Sequence, residues 1–130
     1  MKKKILVIIA DYYKDISNDL LKSTLNNLNK KHYSIKILKV PGVFEIPVTI
    51  SRNINKYNGF IALGCVIKGQ TPHFDFISQS ATDAIMKLSI SSKKPIGNGI
   101  ITCLSKKQAI ARGKKGLEAS EAVKVVLTNK

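Results

Sequence analysis

His73 heads a segment whose residue types could hold an anion and move a proton in one place. Gly64-Cys-Val-Ile-Lys-Gly-Gln-Thr-Pro-His73 runs from an apolar, β-branched stretch through a turn at Gly69 into a helix start. The backbone N–H groups of a first helical turn have no partners within the helix, and they make a receiver for phosphate. Gly69 lets a ligand come close to the backbone. An imidazole in the same turn changes charge near neutral pH. Together these features point to acid–base chemistry on a phosphorylated substrate. A histidine at a helix start also serves as a plain surface or capping residue, so this segment needs support from others.

Three further groups offer that support. Pro41-Gly-Val-Phe-Glu-Ile-Pro47 has two prolines and a glycine around Phe44-Glu45, which reads as a fixed loop presenting an aromatic ring and a carboxylate. Taken alone, a core Phe with a helix-starting Glu is the simpler reading. Asp11-Tyr12-Tyr13 follows the first apolar run. A tyrosine there could stack on a flat heterocycle and donate a hydrogen bond, or merely cover a sheet edge. Arg112, Lys114 and Lys115 gather beside glycines, either as a phosphate site or as a solvated basic face.

The elements that must position these groups alternate along the chain. Residues 3–10 are a β-branched run typical of a buried strand. In 15–31, Ile16, Leu20, Leu21, Leu25 and Leu28 share one helical face. Residues 33–40 alternate as a strand does, 44–56 read as a helix, and 60–67 as another buried strand. Thr71 suits a helix N-cap and Pro72 the first helical position. Phe74, Ile77, Ala81, Ile85 and Leu88 then share a face. A fourth strand is expected at 95–103. Ser105 with Gln108 makes a capping box for a last helix, which Gly113 and Gly116 should kink or restart. This βαβαβαβα order implies a parallel sheet covered by helices on both faces, in one domain over 1–130. Ligands in such sheets sit at the carboxyl ends of strands, where all four groups fall.

Composition narrows the class. The formal net charge of +14 invites a nucleic-acid reading. Yet only Arg52 and Arg112 among 22 basic residues are arginines, and the lysines are dispersed in short groups at 2–4, 30–31, 93–94, 106–107 and 114–115. The planar fork that reads bases is therefore scarce. The expectation is no nucleic-acid partner, with a positive field that attracts anionic substrates. Cys65 and Cys103 match neither a disulfide framework nor a zinc site, and read as buried thiols in a reducing compartment. The start Met1-Lys2-Lys3-Lys4-Ile5 looks like a signal peptide, but the apolar run stops at Asp11 without a cleavage site. No apolar run is long enough to span a bilayer. A cytoplasmic protein without membrane partners is expected.

Several blocks in order carry a resemblance over nearly the whole chain. PGVFEIP at 41–47, ALGCVIKGQTPHFDF at 62–76, PIGNGIITCLSKKQAIAR at 95–112 and KGLEAS at 115–120 resemble the lumazine synthase (riboflavin synthase beta-chain) family. The resemblance implies a flavodoxin-like, doubly wound three-layer sandwich with a four-stranded parallel sheet. It implies condensation of 5-amino-6-(D-ribitylamino)uracil with 3,4-dihydroxy-2-butanone 4-phosphate to give 6,7-dimethyl-8-ribityllumazine in riboflavin biosynthesis, without metal or other cofactor. His73 would then be the catalytic proton-transfer residue. Gln70 and Thr71 would contact the phosphate, and Arg112 would neutralise it with Lys115 and Glu118 nearby. Val43, Phe44 and Glu45 would hold the ribityl chain. Val66 and Ile67 would line the uracil pocket, with Lys68 a further substrate contact and Tyr12 the stacking aromatic. Asn98 would reach the site of a neighbouring subunit.

Three departures from the family's pattern bear on that reading. Tyr13 stands where many members have Asn, Asn98 where many have an aromatic, and the stretch between Arg112 and Lys115 is short. Family members form pentamers, some assembling twelve pentamers into a shell. Because this sequence begins at its first strand, a free homopentamer is expected. Rival readings fare worse on the residues. A flavodoxin-like binding protein needs a Gly/Ser/Thr-rich loop where Asp11-Tyr12-Tyr13-Lys14 stands. A phospho-accepting receiver needs an aspartate where Gly64 to Lys68 has none. An inactive, ligand-holding homologue is the reading that these three departures leave open.

Overall fold

The computed structural model describes residues 2–69 and 73–129. Its elements run β1 (Lys3–Ala10), α1 (Lys14–Asn26), β2 (Tyr33–Val40), a 3-10 turn (Val43–Glu45), α2 (Ile46–Arg52) and β3 (Gly59–Ile67). They continue with α3 (His73–Ser92), β4 (Ile96–Cys103), α4 (Lys106–Ala111) and α5 (Lys115–Thr128). The strands pair in parallel in the order β2-β1-β3-β4. Strict alternation along β1 divides its side chains between two cores. Ile5, Val7 and Ile9 pack with Ile16 and Leu20 of α1 and with Val123 of α5. Leu6 and Ile8 pack with Ile46 and Ile50 of α2 and with Ile85 of α3. Helices thus cover both faces of the sheet, the three-layer flavodoxin-like arrangement. β1 and β3 are continuous apolar runs because both their faces are covered.

Two helix boundaries and one capping bond differ from the sequence reading. The helix expected over 15–31 ends at Asn26. The Asn27 amide instead crosses to α5 and donates to Ser120 Oγ at 3.0 Å, while Leu28 stays buried in the loop that follows. The helix expected over 44–56 is a 3-10 turn followed by seven residues of α2. Pro47 starts α2, and Asn53 ends it by donating from Nδ2 to the Thr49 carbonyl at 2.8 Å. Ser105 does cap α4, accepting from Gln108 N at 3.3 Å. The return bond from Gln108 Oε1, however, takes the N–H of Leu104 rather than that of Ser105.

The predicted restart near the last glycines is present, but only Gly113 lies in the break between α4 and α5. Gly116 lies inside the first turn of α5, fully buried. Any Cβ there would collide with the Leu20 carbonyl and the Thr24 hydroxyl of α1. Gly116 is what lets the two helices touch backbone to backbone.

Candidate active site

β1 leads out to β2 on one side of the sheet, and its other neighbour is β3. The crevice beyond the carboxyl ends of β1 and β3 is where doubly wound sheets bind ligands. A cavity of about 680 Å³ opens there, lined by Tyr12, Tyr13, Val43, Phe44, Glu45, Cys65, Val66, Ile67 and His73, with Gly42 and Ile77. Its first wall follows β1. Asp11 N donates to the Val40 carbonyl at 3.2 Å, and the buried Ser17 hydroxyl donates to the Ala10 carbonyl at 2.8 Å. These bonds fix the turn carrying Tyr12 and Tyr13, whose rings meet edge to face at 4.9 Å. Tyr12 is 76% exposed, an aromatic ring presented to the cavity it lines.

The second wall is the loop before α2. Gly64 of β3 makes room for it, since a Cβ there would stand 2.8 Å from Val43 Cγ2. Val43 is buried and anchors the loop, while Phe44 is 64% exposed beside the cavity. Glu45 N donates to the Gly42 carbonyl at 3.2 Å, closing the turn. The Glu45 carboxylate folds back over Gly42, 3.2 Å from where a Cβ would be. Val66 and Ile67, half-buried, end β3 and point to opposite faces of the sheet. His73 opens α3 and is exposed toward the cavity it lines.

Under this cavity lies a thiol pair on neighbouring strands. Cys65 is held protonated, its pKa pushed up to about 12 by burial first and then by Cys103 beside it, which also hydrogen-bonds it. Burial, then Cys65 and Tyr12, raise the Tyr13 phenol as well. Both groups are therefore neutral near pH 7, and neither is a nucleophile in waiting.

A second cavity, about 790 Å³, lies against the outer edge strand β4. It is lined by Asn98, Ile100, Ile101, Thr102, Arg112, Lys114, Lys115, Leu117 and Glu118. Arg112 follows α4 and donates from Nη1 to the Thr102 carbonyl at 3.1 Å. The same nitrogen lies 3.9 Å from Cys103 Sγ, a weak contact. Lys115 pairs with Glu118 at 2.8 Å across the first turn of α5. The Asn98 side chain turns back on its own strand, accepting from Ile100 N at 3.0 Å.

The candidate residues thus fall into two sets. His73, Tyr12, Val43, Phe44, Glu45, Val66 and Ile67 meet around the first cavity. Asn98, Arg112 and Lys115 meet around the second. Lys68 is exposed just past β3 and lines neither, with its N–H donated to the Cys103 carbonyl at 2.9 Å. Gln70 and Thr71, the expected phosphate contacts, with Thr71 also the expected N-cap, and Pro72, the expected first helical residue, lie outside the described residues. Sequence reasoning missed Cys65 as a wall of the cavity and read it only as a buried thiol. Its place at the carboxyl end of a central strand was the available signal. Ile77 was read as core, although its position one turn beyond His73 puts it on the same wall. Among the described residues no three His, Cys, Asp or Glu side chains are grouped as metal ligands, and no helix is long and apolar enough to cross a membrane.

Comparison with known proteins identifies the family. The family model described as 6,7-dimethyl-8-ribityllumazine synthase matches residues 2–129. The enzyme of that name from Bartonella bacilliformis is 40% identical over 116 residues, covering 86% of this chain and 76% of its own length. That of Bartonella tribocorum is 39% identical over 132 residues, covering 94% and 87%. A 6,7-dimethyl-8-ribityllumazine synthase 1 from Rhodopseudomonas palustris is 38% identical over 120 residues, covering 87% and 74%. Blocks, fold and matched length agree, and the chain belongs to the 6,7-dimethyl-8-ribityllumazine synthase family.

Proposed function

We propose that this chain condenses 5-amino-6-(D-ribitylamino)uracil with 3,4-dihydroxy-2-butanone 4-phosphate, at sites shared between neighbouring subunits of a homopentamer. The observation that carries this is the division of the site. One cavity has the aromatic wall and the imidazole, and the other has the guanidinium and the ammonium groups. A reaction between a flat heterocycle and a sugar phosphate needs both. A head-to-tail ring brings the β4 edge of each subunit to the switch point of the next, a heterologous contact that closes.

In that site Tyr12 stacks on the uracil, Val66 and Ile67 line its pocket, and Lys68 adds a contact from beyond β3. The loop at Val43, Phe44 and Glu45 holds the ribityl chain. Gln70 and Thr71, which precede α3 in the sequence, receive the phosphate, joined by Arg112 and Lys115 of the neighbour. Asn98 of the neighbour borders the heterocycle. The uracil amine attacks the ketone, and water leaves as the imine forms. His73 takes the proton whose loss lets phosphate depart from the adjacent carbon. Phosphate loss leaves an enol, which takes a proton at its terminal carbon to give a methyl group and a new carbonyl, and the ribityl-bearing nitrogen closes the ring on that carbonyl with loss of a second water. The enzyme's task is positioning and proton movement, and every step balances without a redox partner. The cytoplasm, where Cys65 and Cys103 stay reduced, is the compartment this reading implies.

The direct test follows lumazine formation by absorbance with purified, assembled protein and both substrates, beside a His73→Ala variant. Turnover that drops in the variant supports the synthase and the proton role together. Turnover unaffected by the substitution keeps the reaction and removes His73 from it. A folded, assembled wild type without turnover points to a ligand-holding homologue. Light scattering tests the assembly, and a shell-sized particle would replace the free pentamer.

A further inference from the structure

The dispersion of lysines along the sequence argued against a polyanion partner, and the fold reverses that argument. In a parallel sheet all strands start at one edge, so every segment entering a strand meets the others there. Lys30 and Lys31 enter β2, Lys2 to Lys4 enter and begin β1, Lys56 enters β3, and Lys93 and Lys94 enter β4. In the spatial order β2-β1-β3-β4 they form a row with cations on every strand. At a strand spacing near 4.8 Å the row runs about 15 Å across the sheet edge. All of these lysines are exposed except Lys94, which is half-buried.

None of the eight acidic residues of the chain lies in the connections 27–32, 53–58 or 93–95, or in residues 1–10. The ion pairs among the described residues are Lys106–Asp15, Lys115–Glu118 and Lys124–Glu121, and none involves the row. The turns that carry the row are tied down. Asn29 Oδ1 accepts from Lys31 N at 2.9 Å, and Asn58 Oδ1 accepts from Lys4 N at 2.8 Å. Lys94 Nζ donates to the Ile54 carbonyl at 2.6 Å, linking the entries to β3 and β4. Lys93 is held at φ 60°. A line of like charges on fixed turns, at the end of the sheet opposite the first cavity, carries self-repulsion that the ion pairs among the described residues do not relieve, Glu121 beside Asn27 being paired with Lys124.

We propose that this amino edge is a docking surface for the sugar–phosphate backbone of nucleic acid, bound without sequence preference. The occupant follows from charge and shape. A row fits a linear polyanion better than a plane of lipid headgroups. Lysines hold phosphates as point charges, without the planar fork that makes bidentate contacts. The scarcity of arginine removes base reading, not backbone binding. The surface is separate from the proposed reaction, and its test does not depend on that reaction.

The assembled wild-type protein is titrated with a fluorescent 20-bp DNA duplex of arbitrary sequence at several salt concentrations. Binding should weaken roughly a hundredfold between 50 and 200 mM salt, as release of about four counterions requires. Replacing Lys30, Lys31 and Lys56 by Gln and Lys93 by Asn, which tolerates positive φ, should cut low-salt affinity at least tenfold and flatten the salt slope by about three. A control replacing Lys22, Lys36, Lys39 and Lys107 by Gln removes the same charge elsewhere and should change affinity less than threefold. Circular dichroism and light scattering verify that both variants stay folded and assembled. No binding at low salt, or equal losses in the two variants, overturns the proposal. So does tighter binding to phosphatidylserine vesicles or polyglutamate than to the duplex.

Discussion

The two cavities differ in what they lack. The one at the switch point between β1 and β3 has aromatic walls, apolar strand ends and an imidazole, with the Glu45 carboxyl and no lysine or arginine among its described lining residues. The one on the β4 edge has Arg112, Lys114 and Lys115 against Glu118, and no aromatic ring among its described lining residues. On the proposed reading each is half of a site for an aromatic amine and a phosphorylated ketone. On that reading their separation on one subunit makes the chemistry depend on a neighbour. The halves also differ in how they are held. The first is packed on buried glycine and valine contacts of the central strands, while the second hangs on hydrogen bonds to an edge strand.

The sharpest way to break this comparison is to cripple each half separately. Arg112→Ala removes a charge-assisted contact to the phosphate and should lower kcat/KM by roughly 10³. His73→Ala should lower kcat by roughly 10² with KM little changed, as loss of one general acid–base group does. Assembling the two variants together by refolding an equal mixture then decides the geometry. If each site takes His73 from one subunit and Arg112 from the next, about a quarter of the sites are intact and activity returns. Mixing without recovery would place both halves in one chain and end the shared-site reading.

The halves meet beneath the surface, where Cys65 lines the first cavity, Cys103 touches it, and Arg112 of the second cavity approaches Cys103. That junction has a pH signature. The folded pKa of Cys65, about 12, lies above the ordinary value of 9.0. Below pH 9 the thiol is protonated in both folded and unfolded chains, and its contribution is whole. Between pH 9 and 12 the unfolded chain loses the proton while the folded one keeps it. Stability should therefore fall there, at most by about 1.4 kcal/mol per pH unit from this group. Urea unfolding of wild type against Cys65→Ala reads this thiol together with the part of the Tyr13 shift that depends on it. Parallel curves above pH 9 would mean that the thiol is not held neutral.

Much of this was legible in the sequence. The β-branched runs of β1 and β3 and the alternation of β2 follow from local pattern, and they dictate a parallel sheet. That sheet places Tyr12, Phe44, Val66 and His73 at one end whatever their other roles. Helix ends were less legible, because Asn27 and Asn53 stop helices through bonds to α5 and to Thr49 that are tertiary or local accidents of side-chain choice. Gly116 was read as a helix breaker because a buried helix crossing leaves no local mark. The split of the site was visible only through the resemblance. Nothing in the spacing of Asn98, Arg112 and Lys115 says that β4 lies at an edge, two strands from β1.

The smallest effect expected concerns Asn98, the position on the second half that should border the heterocycle. Its amide is spent on its own strand, accepting from Ile100 N, so it offers the neighbour an edge and no ring face. An aromatic side chain there would complete a stack begun by Tyr12 from the other subunit. Offset stacking contributes about 1 kcal/mol beyond the area it buries, so Asn98→Tyr should tighten binding of the ribitylaminouracil roughly fivefold. The Ile100 N–H would turn to water at little cost, since Asn98 is exposed. Isothermal titration with the uracil substrate alone measures this directly. Unchanged affinity, with the pentamer intact, would move Asn98 away from the heterocycle and leave the basic half a phosphate site only.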